Sequence, residues 1–297
     1  MAAFVEIVDR GSLTAAADVL GKSLPTMVRT LASLEQSLGV RLLRRTTRRM
    51  SLTEEGASYL ERCRRILADV AEAEEMLTRG QAEPRGELRV TAPVLFGQMH
   101  VAPAIADFLR EYSQVKVELL LLDRVVDMVE EGIDVGIRIE ELRDSSMIAI
   151  PVGEVRRVVC ASPRLLRRVG EPKHPEALAG KPCIRFRGLT PGRSWQFREG
   201  GKRFSVPIDG PLVCNQATPA LAACSEGLGF GLFLSYQSAP LVAAKKLRRV
   251  LSDYELAPIP VNVVYPHARL MSPRIRVFVD WMKAHLRAGP AALALRG

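Results

Sequence analysis

The chain has 297 residues, a length that suggests about two domains. Its 47% hydrophobic and 25% charged content is that of a globular protein and excludes a disordered or fibrous chain. A formal net charge of +9 fits a polyanionic partner, and the five cysteines (Cys63, Cys160, Cys183, Cys214, Cys224) form no CxxC zinc pattern.

Met1 to Asp9 reads as a first helix, with Met1, Phe4, Val5 and Val8 on one face. Gly11-Ser12 breaks the pattern, and Ser12 caps a short second helix, Leu13 to Leu20, with a small-residue face. Gly21-Lys22-Ser23 is a turn. A third helix opens at Leu24-Pro25, where proline is tolerated because its missing N–H would be unpaired anyway. Met27, Leu31 and Leu34 recur at i, i+4, i+7, so Thr26, Arg29, Thr30 and Ser33 face elsewhere. Gly39 stops this helix. Two short helices joined by a glycine-bearing turn make a helix-turn-helix, whose second helix suits the major groove. An ordinary helical hairpin has the same shape. Residues 41–52 separate the two readings: Arg41, Arg44, Arg45, Arg48 and Arg49 occur there without an acid. Two short apolar-polar segments flank an Arg/Thr tip, which predicts a β-wing whose guanidinium and hydroxyl groups meet phosphate. Residues 1–52 are net +4 and residues 53–81 net −3.

Thr53 is a natural cap for a long helix running to about Gly80. Tyr59/Leu60, Cys63, Ile66/Leu67, Val70, Ala73 and Leu77 form a coiled-coil-like stripe. Such a stripe pairs with a second copy or packs on its own domain; the expectation is a dimer interface at Leu60, Cys63, Leu67 and Val70. Pro84 and Gly86 mark a hinge. Strands follow at 87–93, 115–122 and 133–139, with helices at 97–112 and 123–131 between them. That alternation predicts a parallel sheet in an α/β domain. Residues 152–161 cross into a second half with short strands at 183–186, 195–197, 204–206 and 212–214. A helix spans 219–226, and 229–233 is apolar. Residues 261–265 lead back, a helix at 274–286 closes the first half, and 289–297 is a tail.

No GxSxG, P-loop or Rossmann fingerprint occurs, and the four histidines lie apart from any nucleophile pattern. No enzyme activity, metal or cofactor is expected. There is no secretory signal and no long apolar span, so the expected location is the cytoplasm, with reduced thiols and no membrane. A redox role for Cys214 and Cys224 competes with the plainer reading of cysteine as a small buried apolar residue.

The joined runs Gly11 to Ala17, Leu38 to Leu43, Arg45 to Arg48 and Leu52 to Gly56 resemble the N-terminal domain of bacterial LysR-type transcriptional regulators. Leu88 to Pro93, Asp123 to Asp127, Ile133 to Arg138 and Leu228 to Gly231 resemble the family's effector domain, a two-lobed type II periplasmic-binding-protein fold. The resemblance implies a winged helix-turn-helix DNA-binding domain over 1–56. A dimerising linker helix would span 57–82. An effector domain would span 86–290, with lobe I at about 86–158 and 265–290 and lobe II at about 159–264. It implies contact with double-stranded DNA through Ser23, Pro25, Thr26, Arg29, Thr30, Arg45, Thr46, Thr47 and Arg48. Leu24 and Val28 depart from the family pattern, which favours Gln and Ser there. The resemblance also implies a homodimer, and a homotetramer through further effector-domain contacts.

Ligands of α/β folds sit beyond the carboxyl ends of the strands. The expected effector site combines Ala92, Pro93, Val94, Leu95 and Phe96 at one strand end with Arg138 at another. Asn215, Thr218, Gly229 and Phe230 would face them from the other half. The expected effector is a small organic anion, aromatic ones included, held by Arg138 and helix N–H groups with Phe96 as an aromatic wall. An internal ion pair of Arg138 with Asp134 or Glu140 is the alternative. For the whole chain, the alternative is a small-molecule-binding or enzymatic α/β protein whose N-terminal helices only oligomerise; salt-dependent binding of duplex DNA separates the two.

Overall fold

The computed structural model describes residues 1–45, 50–79, 83–141, 147–267 and 272–288. The side chains of residues 45, 69, 72, 73 and 75–79 lie outside that description, as do the expected contacts at Thr46, Thr47 and Arg48. The chain divides between Ala82 and Glu83 into two compact units.

In the first unit α1 (Ala2–Arg10), α2 (Leu13–Val19) and α3 (Leu24–Leu38) precede β1 (Leu43–Arg45), β2 (Met50–Leu52) and α4 (Glu54–Arg79). Ser12 and Ser23 cap α2 and α3, and Gly39 closes α3 at φ 70°. The wing is an antiparallel pair with Arg44 facing Ser51. The core gathers Phe4 and Ile7 of α1, Ala16 and Ala17 of α2, Met27 and Leu31 of α3, Leu42 and Leu43, and Leu60 and Cys63 of α4. The buried face of α1 is therefore Ala3, Phe4 and Ile7, while Met1 is exposed. Glu35 is the polar lock of the unit. Its buried carboxylate accepts hydrogen bonds from the N–H groups of Leu42 (2.8 Å) and Leu43 (3.1 Å), tying α3 to the wing. Thr53 Oγ1 accepts from the Gly56 N–H at 2.9 Å and donates to the Arg41 carbonyl at 2.7 Å, so one hydroxyl starts α4 and holds the wing's root.

Leu60 and Cys63 correct the expected interface. Both lie in the core of their own unit, so the first turns of α4 belong to the DNA-binding head. Further along, Leu67 is half-buried, whereas Ile66 and Val70 are 45% and 49% exposed.

The second unit holds two five-stranded sheets. The first has the order β4-β3-β5-β14-β6 and the second β11-β8-β12-β7-β13. In the first, β3 (Gly86–Ala92) lies parallel to β4 (Val115–Leu121) and β5 (Val135–Ile139). Antiparallel β14 (Ile259–Pro266) and β6 (Met147–Val155) complete it. β14 thus belongs to lobe I along its whole length. The expected assignment of residues 259–264 to lobe II is corrected: Val261 pairs with Ile139 and Val263 with Ile137. A helix from Val94 to Glu111, α5 (Val94–Phe96) and α6 (Ala102–Glu111) joined by a π-helical stretch Gly97–Val101, packs on this sheet with α10 (Pro273–Ala288). Phe108 meets Phe278 and Trp281 edge to face there, an arrangement favoured by the ring quadrupoles.

The helix expected over 123–131 is absent. Asp127 Oδ1 instead accepts from the N–H groups of Val129 and Glu130, both at 2.9 Å, and caps a single turn that closes at Gly132. The Asp side chain competes for backbone donors and limits the helix to one turn.

In the second sheet β8 (Cys183–Phe186) is parallel to β11 (Val213–Cys214) and β12 (Phe230–Leu234). β7 (Arg157–Ala161) runs antiparallel to β12, and β13 (Arg248–Val250) antiparallel to β7. The hairpin of β9 (Ser194–Glu199) and β10 (Lys202–Pro207) covers one face through Trp195, Phe197 and Val206. α8 (Ala217–Ser225) covers the other. α7 (Pro163–Val169) and α9 (Ser235–Ala243) complete the lobe.

Candidate functional site: a recognition helix and an interlobe cavity

The head presents one face of α3 outward. Met27, Leu31 and Glu35 point inward, while Ser23, Leu24, Pro25, Val28, Arg29 and Ser33 are exposed and Thr26 and Thr30 half-exposed. Local hydrogen bonds use part of this face. The hydroxyls of Ser23 and Thr26 lie 2.8 Å apart, Thr30 Oγ1 donates to the Thr26 carbonyl at 2.9 Å, and Arg29 Nε donates to the Pro25 carbonyl at 3.4 Å. Arg29 is exposed, and its terminal amino groups are the longest donors on this face.

The second unit holds a cavity of about 250 Å³ between the lobes. Lobe I contributes Pro93, Asp123, Arg124, Arg138 and Glu140; lobe II contributes Phe186, Leu189, Leu234, Tyr236 and Gln237. Half-buried Arg138 donates from Nη2 to the Val126 carbonyl at 3.1 Å. Burial lowers its pKa, and Glu140 and Glu131 act the other way. Among the described residues no carboxylate comes within 4.0 Å of it, so the ion pair considered with Asp134 or Glu140 does not form. Asp134 instead accepts from the Arg89 N–H at 2.9 Å. Arg124 is held by Glu131 through two parallel bonds of 2.7 Å, which raise its pKa and lower that of Glu131.

Asp123 corrects one expectation. Its Oδ1 accepts from the Val94 N–H at 2.9 Å, so the helix N-terminus expected to bind an anion is already capped by the protein's own carboxylate. Opposite it, Tyr236 is buried and its hydroxyl accepts from Gln237 Nε2 at 3.3 Å. Burial pushes this phenol far above its ordinary value; the hydrogen bond from Gln237 opposes the shift, and the charge of Asp123 adds a smaller push upward.

Of the ten residues expected around an effector, Pro93 and Arg138 line this cavity. Phe96 is a correction: it is fully buried against His100 and Tyr236, and forms no wall. Ala92 and Phe230 are likewise core residues, and Leu95 packs against the cores of both lobes. Asn215 and Thr218 are exposed and off the cavity, and Gly229 lies against the Pro182 carbonyl.

Both halves have counterparts among known proteins. Residues 81–287 match the LysR substrate binding domain, and residues 1–57 match the bacterial regulatory helix-turn-helix of the lysR family. The chain belongs to the LysR family. It is a DNA-binding transcriptional regulator with an effector-binding domain, and the reading as an α/β protein with merely oligomerising helices falls. A transcriptional repressor of Pseudomonas aeruginosa strain UCBPP-PA14 is 36% identical, covering 99% of this chain and 96% of its own. The regulator PtxR of P. aeruginosa PAO1 is 33% identical over 98% and 94%. The structure of CrgA, a LysR-type regulator from Neisseria meningitidis, superposes with a TM-score of 0.62 at 31% identity, covering 96% and 97%.

Within this LysR-type effector domain the strand-end rule points, for β12, to its carboxyl end at Leu234, and the cavity is lined by Leu234, Tyr236 and Gln237 just there. Gly229 and Phe230 sit at the opposite end. The same rule applied to β8 and β4 leads to Phe186, Leu189, Asp123 and Arg124.

Proposed function

We propose that the exposed face of α3 reads operator DNA through Pro25, Thr26, Arg29 and Thr30, with Ser23 and the wing residues Arg45, Thr46, Thr47 and Arg48 meeting the backbone. The observation that carries this is the outward projection of Arg29 from a helix whose other face is core. Arg29→Ala should lose roughly 1–3 kcal/mol and relax preference at one operator position. Fluorescence anisotropy on selected duplexes measures this, and unchanged affinity and selectivity would remove α3 as the reading element.

The interlobe cavity is the effector site in this reading. Arg138 is its cation without a carboxylate partner among the described residues, so the ligand is a small organic anion whose acid group meets Arg138. Phe186, Leu189 and Leu234 suit an apolar or aromatic body, and Asp123 and Glu140 favour a hydrogen-bond donor on it. A thermal-shift screen of small carboxylates should find a ligand that adds about 2.7 kcal/mol at 100 times its Kd. The same gain in Arg138→Ala would exclude this placement. The protein acts as a cytoplasmic regulator without enzyme activity, and as a homodimer through the exposed stretch of α4, with a homotetramer requiring further contacts. In support, its relatives are regulators, and no described helix is long and apolar enough to cross a membrane.

A further inference from the structure

Leu24 and Val28 stand one helical turn apart on α3, 43% and 36% exposed, and neither joins the apolar core of the head. They flank Pro25 and Arg29 on one side, while Thr26 and Thr30 flank them on the other. On the hydroxyl flank Thr30 donates to the Thr26 carbonyl and Thr26 pairs with Ser23, which leaves hydroxyl oxygens as acceptors. The face therefore offers a base edge the long cationic donor Arg29 with these hydroxyls on one side, and two unpartnered aliphatic side chains on the other. In the major groove one base presents an apolar group, the C5-methyl of thymine. An aliphatic side chain set over an adenine or cytosine amino group would instead strip that donor of water without replacing its hydrogen bond.

We propose that Leu24 and Val28 select thymine by contact with its 5-methyl group, so that the operator carries thymines beside the base read by Arg29. This rests on α3 entering the major groove as argued above. Removing one buried methyl from the contact should weaken binding about fourfold.

The test uses the full chain and duplexes selected from a random library. Each thymine of a selected site is replaced in turn by deoxyuridine, which keeps every hydrogen-bonding group and deletes only the methyl. For the parent, one or two positions per half-site should lose three- to fivefold in affinity. Leu24→Ala and Val28→Ala should each make one of those positions indifferent to the substitution. Selected sites without thymine there, or uridine tolerated at every position while Arg29→Ala still weakens binding, would overturn the proposal and leave the groove reading intact. If neither uridine nor Arg29→Ala matters, α3 does not enter the groove. The uridine series needs no variant, so a poorly folding mutant cannot blunt it.

Discussion

At the scale of single residues, burial decides which groups are chemically available. The thiols of Cys160 and Cys183 are pushed up to about 11 and about 12 by desolvation, and that of Cys224 further in the same direction. Cys224 Sγ donates to the Cys160 carbonyl at 3.4 Å, so it serves as a small core residue. Cys214 is half-exposed, with its pKa raised mainly by desolvation. A thiol reagent at neutral pH should therefore modify Cys214 slowly and the other four cysteines only after unfolding. Mass mapping of the labelled peptides checks this, and rapid labelling of Cys224 in native protein would contradict it. His100 behaves differently. It sits half-buried with its ring 4.9 Å from Phe96 and 5.9 Å from Tyr236, and its Nε2 has no hydrogen-bond partner among the described residues. Burial first, and the charge of His285 second, hold its pKa below the ordinary value near 6.5. A histidine depressed in the folded state takes up protons on unfolding. Its stabilising effect is complete above pH about 6.5 and is lost as pH falls through the folded value. Thermal melts should show the second unit weakening on acidification, and His100→Phe should flatten that dependence. An equal loss in parent and variant would clear His100.

At the scale of elements, α4 is buried unevenly along its length. Leu60 and Cys63 were legible as part of an apolar stripe, but a stripe shows which side is apolar and leaves open what covers it. Their cover is the head itself, through Phe4, Ile7 and Met27. Ile66 and Val70 remain outside that core and exposed, which makes them the test of the homodimer proposed above. Val70→Glu should separate two copies at a cost of several kcal/mol to association while the head stays folded. Leu60→Glu should unfold the head. Sedimentation and circular dichroism together distinguish the two, and an unchanged oligomer in Val70→Glu would remove α4 as the interface. Gly56 marks how tightly α4 is seated: a Cβ there would lie 2.0 Å from the Leu42 carbonyl oxygen. Gly56→Ala should cost the head about 1–3 kcal/mol or more, because backbone rather than a movable side chain stands in the way. A melt equal to the parent's would show that the wing root yields. The caps Ser12 and Thr53 and the paired wing strands were readable because each depends on neighbours in sequence. Glu35 was not, since its partners Leu42 and Leu43 lie seven and eight residues away and nothing local marks a carboxylate as buried.

At the scale of the molecule, charge is distributed against the simplest reading. Residues 157–258 of lobe II carry sixteen Lys and Arg against seven Asp and Glu, a net +9 that equals the net charge of the whole chain. Total charge is therefore a poor guide to where DNA binds, and the arginines around the wing are a better one. Arg44→Gln should reduce the slope of log affinity against log salt by about 0.9, whereas Lys245→Gln with Lys246→Gln should leave it unchanged. The reverse pattern would place the phosphate contacts on lobe II. The two-lobed architecture was legible because strand and helix periods alternate and the chain visibly returns near residue 261. The handover point was not, because an apolar strand carries no label for the sheet it joins: β14 pairs with β5 and β6, and only the register shows it. That register also fixes how the lobes are hung. Val155 and Ile259 face each other across β6 and β14, so the outgoing and returning chain pass between lobes side by side. The outgoing crossing is Arg156 alone, pinned by its N–H to Ser235 Oγ at 3.2 Å and by its carbonyl to the Ser235 N–H at 2.8 Å. The returning crossing is longer, Leu251 to Pro258, and carries the helical turn Ser252–Tyr254 and Glu255 bound to Arg249. Any relative turn of the lobes would have Arg156 as its shortest link, and a small angle there would become a large displacement at the far edges of the lobes.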